Sequence, residues 1–230
     1  MFTDFEITGR ARTHVVQIKE PRFAAHREVT DAFLEMRAEA AAAGFDLQVI
    51  SSFRDFKTQL KIWNNKFSGK KPLFDIEGNV RDTSEMTDEQ IVRHIFDWSA
   101  LPGGSRHQWG TEIDVFDRLA IPKDYKVKLL PEEVSEGGVF HPLHQWLDAN
   151  IHRFGFFKPY KIYQGGMFPE PWHLSYAPVS LKAIDYLSFE LLDKLIKETE
   201  ILAKEIVLEL LPEIYDQHIL NITSPEQRKI

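Results

Sequence analysis

The chain contains no cysteine. Disulfide stapling, thiolate metal sites and a cysteine nucleophile are therefore excluded, and any metal must be held by histidine or carboxylate side chains. An excess of basic charge is lacking too. Lys and Arg number 28 against 35 Asp and Glu, a net charge of -7, and no basic stripe able to track phosphates is present. Nucleic acid is thus not an expected partner. No apolar run approaches the roughly 18 residues that would read as a membrane span. The opening MFTDFEITGRARTHVVQIKEP has neither the basic start nor the apolar run of a secretory signal. The expectation is a cytoplasmic protein without a membrane span.

What remains is ordinary for a folded domain. At 230 residues with 43% hydrophobic content, the chain can bury one substantial core with an extension attached. Residues 27 to 43 are strong helix formers stopped by Gly44. Positions 45 to 51 carry enough alternating apolar residues for a strand, and a helix is expected over 55 to 66. Glycine, proline and charge mark 70 to 84 as a loop. Helical spacing resumes over 87 to 98, with Thr87 and Gln90 placed for a capping box. Residues 112 to 116 read as a half-buried strand, and 142 to 154 as a helix ended by Gly155. Helices and short strands mix without a βαβ rhythm, which predicts an α+β fold.

Chemistry-bearing residues concentrate in three separated segments. In GGSRHQWGTEIDVFD, His107 and Asp114 stand seven positions apart, and Gly110 between them permits a tight turn that folds the histidine back beside the aspartate. In FPEPWHLSY, Glu170 precedes His173 by three, and Pro169 and Pro171 argue against a helical HExxH arrangement. Two histidines and one carboxylate would leave a position on tetrahedral zinc open for water, as catalytic sites do. Spacing leaves competitors standing. His141 and His144, three apart on an expected helix, are an alternative ligand pair.

Taken together, the segments resemble the signature of the D-alanyl-D-alanine carboxypeptidase and dipeptidase family of zinc peptidases. SSFRDFKTQ (51 to 59) is similar to its Ser-x-x-Arg-x-x-x-x-Gln element, SRHQWGTEID (105 to 114) to Ser-x-His-x-x-Gly-x-x-x-Asp, and EPWHLSY (170 to 176) to Glu-x-Trp-His with a later Tyr. WLDANIHRFGF (146 to 156) resembles the helix leading into the active-site strand. The resemblance spans about residues 45 to 176.

It implies a small antiparallel sheet, flanked by helices, carrying one zinc ion on His107, Asp114 and His173. Glu170 would be the catalytic carboxylate and Arg54 the cation that stabilises an oxyanion. Ser105, Gln59 and Trp172 would contact a peptidoglycan-derived peptide. An endopeptidase of the stem peptide and a metal-binding module without activity are the alternatives, the second disfavoured because both Glu170 and Arg54 are retained. Two segments depart from the pattern. Glu112 stands where a small or apolar residue is common and is expected to face solvent, and Ser52, Phe53 and Asp55 replace the usual Gly-Tyr-Arg-Ser surroundings of Arg54.

The resemblance ends at 176, which divides the chain into a catalytic domain (1 to 176) and a helical C-terminal extension (177 to 230). In the extension Leu181, Ile184, Leu187, Leu191, Leu195, Leu202, Ile206 and Leu210 recur at helical spacing, with Pro212 as the expected stop. Such a stripe must be covered. Packing on the catalytic domain is the preferred reading, and a homodimer through the C-terminal helix is the other.

Overall fold

In the computed structural model, which describes residues 1–225, the chain opens with a short helix α1 (Asp4–Ile7) and a hairpin of β1 (Val15–Ile18) and β2 (Phe23–His26). Then come α2 (Arg27–Ala42), β3 (Leu47–Ser51), α3 (Phe56–Phe67), α4 (Asp88–Phe96), β4 (Glu112–Asp117), α5 (Pro131–Val134) and α6 (His141–Asn150). The order closes with β5 (Phe156–Phe157), β6 (His173–Tyr176), α7 (Ala177–Ala183), α8 (Phe189–Lys197) and α9 (Lys204–Ile214). Positions 226–230 of the expected extension lie outside the described residues.

Strands β3, β4, β6 and β5 lie in that order in one antiparallel sheet, so the fold is α+β. Alternation along its central strands decides what each face does. Ile113, Val115 and Leu174 point to one side, where they pack with Phe33, Met36 and Ala40 of α2 and Leu143 and Leu147 of α6. Each large apolar side chain buried there is worth about 1.5–3 kcal/mol. Glu112, Asp114, His173 and Ser175 occupy the opposite face, because the register sets Asp114 across from His173 and Glu112 across from Ser175. β4 is buried nearly throughout rather than half-buried, since helices or loops cover both of its faces.

Local signals explain the flanking helices. Asp55 caps α3 by accepting from Thr58 N at 2.7 Å, and Thr87 with Gln90 forms the capping box of α4. After α6 the chain tightens into a 3₁₀ turn (Ile151–Phe154) and ends at Gly155 in the left-handed region, φ 79°.

The C-terminal segment is not one continuous helix. It breaks after Tyr186 and again after α8, where Ala203 turns at φ 59°, and α9 runs through Pro212 instead of stopping there. Pro212 cannot donate to the Leu208 carbonyl. Burial of Val207, Leu211 and Ile214 around it outweighs that loss, of order 3 kcal/mol, and a wider π turn (Tyr215–Leu220) follows. Leu187, Leu192, Ile196 and Leu211 are fully buried, whereas the expected stripe positions Leu181 and Leu202 are exposed. Ile196, Val207 and Leu211 pack against Trp63 of α3 and Phe96 of α4, and Leu187 and Leu192 against Ile7 and Trp109. No helix among the described residues is long and apolar enough to cross a membrane.

Candidate active site

The polar face of the sheet gathers three segments that are remote in sequence. A 3₁₀ turn (Arg106–Trp109) closes at Gly110, φ 70°, and doubles the chain back so that His107 meets the following strand. A side chain could not replace that glycine: a Cβ there would stand 3.1 Å from the His26 backbone nitrogen as well as straining the positive φ. Strand pairing then sets His173 beside Asp114. The donor atoms of His107, Asp114 and His173 all lie within 4.8 Å of one another, and all three residues are buried. Among the described residues no other such group of His, Asp or Glu occurs.

Hydrogen bonds at the outer edges of the imidazoles select which nitrogens face inward. His107 donates from Nδ1 to the Ser52 carbonyl at 2.9 Å, leaving Nε2 facing Asp114 Oδ2 at 3.3 Å. His173 donates from Nε2 to Glu112 Oε2 at 2.9 Å, leaving Nδ1 3.0 Å from Asp114 Oδ1 and 3.5 Å from Glu170 Oε2. Two imidazole nitrogens, each oriented by a bond on the outer side of its ring, and a carboxylate between them fit a divalent metal of the zinc type. His141 and His144 are not part of this group. His141 Nδ1 donates to the Val134 carbonyl, and His144 is buried beside Lys158.

Glu112 corrects the sequence reading, which turned it to solvent. It is 0% exposed and receives Arg106 Nη2 at 3.2 Å, Ser175 Oγ at 2.8 Å and Thr111 Oγ1 at 3.0 Å besides His173. Burial alone would raise its carboxyl, but Arg106 and His173 hold it down to about 2. Strand alternation could have found it, since a residue two before Asp114 shares the aspartate's face. Asp114 is likewise held far below the usual carboxylate range: burial opposes ionisation, and the two imidazoles overcome it. His173, which burial would push down, is raised to about 10 by its bonds to Asp114 and Glu112.

Glu170 behaves differently. It sits in an extended segment between two prolines, its amide donating to the Tyr160 carbonyl at 2.9 Å and its carbonyl accepting from His173 N at 3.0 Å. Burial, aided by the charge of Asp114, raises its carboxyl to about 7 despite the pull of His173, Arg54 and Lys66. A carboxylate poised there can both take and return a proton near neutrality.

Arg54 does not come from a helix. It lies in the turn between β3 and the cap of α3, its amide donating to the His107 carbonyl at 3.2 Å. Nor is it paired with Asp55. Its Nη1 donates to Gln59 Oε1 at 2.8 Å and its Nη2 to Ser51 Oγ at 2.9 Å. Gln59, expected to touch substrate, is instead 0% exposed behind Arg54, with its amide nitrogen donating to the Ala100 carbonyl at 2.8 Å. Both ends of that amide are committed to protein partners. Burial lowers the Arg54 pKa while Asp114 and Glu170 resist, and the remaining guanidinium donors are free to meet charge developing in the cavity.

These groups surround a cavity of about 210 Å³ lined by Arg54, Ser105, His107, Asp114, Glu170 and His173. Trp172 forms a wall, stacked at 6.0 Å on Trp98, and its buried side also packs with Phe140. Lys66 and Arg106 line the same space and were not singled out from the sequence. Two imidazoles and a carboxylate beside a detached carboxyl and a guanidinium form a constellation suited to hydrolysing an acyl bond.

The comparisons with known proteins agree with that class. A family model described as "VanY: D-alanyl-D-alanine carboxypeptidase" matches residues 22–179, and the chain belongs to this family. An uncharacterized protein of Haemophilus influenzae is 34% identical over 122 residues, 52% of this chain and 93% of that one. VanYB in complex with D-alanine-D-alanine superposes with a TM-score of 0.53 at 22% identity, covering 80% of this chain and 89% of its own. A vancomycin-resistance D,D-pentapeptidase VanY variant in complex with Zn(II) gives a TM-score of 0.52 at 21% identity, covering 76% and 89%. These two structural likenesses speak for the fold.

Proposed function

We propose that the chain is a zinc-dependent carboxypeptidase or dipeptidase hydrolysing a D-alanyl-D-alanine-type bond of a peptidoglycan stem peptide. The observation that carries this reading is the position of Glu170: 3.5 Å from a ligand histidine, half-buried on the cavity wall, and near neutrality in its proton affinity. Family membership and the D-alanine-D-alanine and Zn(II) complexes of the structural relatives support the substrate and the metal.

His107 Nε2, His173 Nδ1 and one oxygen of Asp114 would hold a single ion. When bound, zinc supplies Lewis acidity, polarising the peptide carbonyl and acidifying water. Glu170 accepts the proton of the attacking water as the oxygen–carbon bond forms. The same carboxyl then delivers that proton to the amide nitrogen as the carbon–nitrogen bond breaks, so the leaving group departs as a neutral amine. Arg54 donates hydrogen bonds to the oxyanion that develops on the former carbonyl oxygen, its geometry fixed in advance by Gln59 and Ser51. Ser105, buried on the cavity wall, is placed to bond the peptide backbone, and Trp172 supplies the apolar side of the pocket.

The test is mass spectrometry of stem peptides ending in D-Ala-D-Ala, D-Ala-D-Ser or an L,D bond, incubated with zinc-loaded enzyme. Release of the terminal residue or dipeptide is expected, abolished by a chelator and restored by zinc. Glu170→Gln should lower kcat by about 10²–10⁴ while zinc binding persists. No amine released from any peptide, or full activity in Glu170→Gln, would refute the reading.

A further inference from the structure

Lys66, in the last turn of α3, brings an ammonium to the same cavity as Glu170 and His173. Its polar surroundings are sparse: Nζ donates to Ser99 Oγ at 2.6 Å, and no carboxylate among the described residues lies within ion-pairing distance of it. Glu170 is the acid it feels most strongly, followed at longer range by Asp97, which is already engaged by Arg81 at 3.2 Å and by His94 at 3.0 Å. Lys66 is half-buried, and the loss of hydration pushes it down to about 8. A partly desolvated charge with no ion-pair partner favours an opposite charge in the cavity it lines.

The other cations of the lining are differently placed: two nitrogens of Arg54 are tied to Gln59 and Ser51, Arg106 is ion-paired with Glu112 at 3.2 Å, and Lys128 with Glu132 at 2.8 Å. Lys66 has Ser99 and no carboxylate in ion-pairing range, and Trp98, Leu129 and Met167 are apolar members of the same lining. A ligand with a small apolar side chain and one carboxylate matches those features. In a peptide cut at its last bond, the terminal carboxylate follows the scissile amide by a single residue, within about 4–5 Å of chain. We propose that Lys66, supported by Ser99, binds the free terminal carboxylate of the substrate and thereby restricts the enzyme to bonds at a carboxyl end. This rests on the peptidase reading above and names the group through which that site selects its substrate.

The experiment compares zinc-loaded wild type, Lys66→Met, Lys66→Gln and Lys66→Arg on an N-acetylated peptide ending in D-Ala-D-Ala and on its C-terminal carboxamide. Wild type should favour the free acid by about 10- to 100-fold, the span of a charge-assisted hydrogen bond. Lys66→Met and Lys66→Gln should lower the acid-to-carboxamide ratio of kcat/KM by about that factor and so erase the preference, any smaller loss common to both peptides reporting the removed pull of Lys66 on Glu170, while Lys66→Arg restores part of the ratio. Thermal melts establish that the variants fold. A preference that survives in both neutral variants would overturn the proposal, as would an equal loss on acid and carboxamide, which would mark Lys66 as support for Glu170 or as the partner of a side-chain carboxylate. If wild type cleaves neither these peptides nor any other of the stem-peptide panel, the peptidase reading fails. Lys66 is then judged by calorimetric binding of D-alanyl-D-alanine to wild type and Lys66→Met, where undiminished binding in the variant refutes it independently.

Discussion

Replacing Glu112 by glutamine keeps the shape of the side chain and removes its charge, at a position where both carboxylate oxygens are engaged. Oε2 accepts from His173 Nε2, and Oε1 accepts from Ser175 Oγ and Thr111 Oγ1 and faces Arg106 Nη2. Whichever end of the new amide carries the nitrogen, a donor is turned against another donor. If the nitrogen faces His173, the imidazole loses the acceptor that holds Nε2 outward and Nδ1 inward. If it faces Arg106, the guanidinium also loses its acceptor, and in either orientation it is left without a counter-charge in a site where it is 2% exposed. Outer partners of metal-ligating histidines typically contribute 10- to 100-fold to metal affinity. Glu112→Gln should therefore weaken zinc binding by about 1.4–2.7 kcal/mol, measured by competition against a chromogenic chelator. Both Glu112→Gln and Glu112→Ala strand the charge of buried Arg106, at about 3–5 kcal/mol of folding stability, and Glu112→Ala adds a cavity, so thermal melts of each metal-free variant accompany the zinc titration. Zinc affinity equal to wild type in a folded Glu112→Gln protein would refute the assignment of Glu112 as the group that aims His173.

Two further outcomes follow from buried polar groups. Gln59→Leu deprives Arg54 of its Nη1 acceptor and the Ala100 carbonyl of its donor, so folding stability should fall by about 1–3 kcal/mol in urea titrations. Because Arg54 then loses its orientation, kcat should fall more than KM rises, and an unchanged kcat would show that Gln59 does not position the guanidinium. His144, 4% exposed, has its imidazole pushed down to about 3 by burial and by Lys158. The folded state therefore holds His144 neutral while the unfolded chain takes up a proton below about 6.5. The contribution is fully present above that pH and is lost as pH falls towards 3, with a slope of about 1.4 kcal/mol per pH unit. The stability difference between wild type and His144→Leu should change by that slope between pH 6 and 4, read from urea unfolding, and a pH-independent difference would refute the burial argument.

The sequence by itself determined the local elements, because caps, helix formers and glycine stops act over a few residues: Asp55, Thr87 with Gln90, Gly110 and Gly155 all do in the structure what their neighbours dictate. The grouping of His107, Asp114 and His173 was legible for a mixed reason. Gly110 supplies the local turn, but only the resemblance of three ordered motifs linked His173 to the other two across 59 positions. Tertiary structure decided the rest. Glu112 was misplaced because a carboxylate in a strand reads as solvent-facing until the partner strand brings Ser175 and His173 across from it and the 3₁₀ turn brings Arg106 over it. Gln59 was misplaced because the direction of Arg54, set by the turn before α3, is invisible in the spacing of the motif. Lys66 is not marked by the sequence because a lysine near a helix end is ordinarily fully solvated, and only the packed cavity shows that this one is half-buried in its wall. The C-terminal stripe met the same limit: periodicity marks residues that want burial, but helix breaks at Tyr186 and Ala203 changed which of them reach the core. Local propensity fixes what a segment becomes, whereas charge compensation and burial are properties of pairs that only the folded chain brings together.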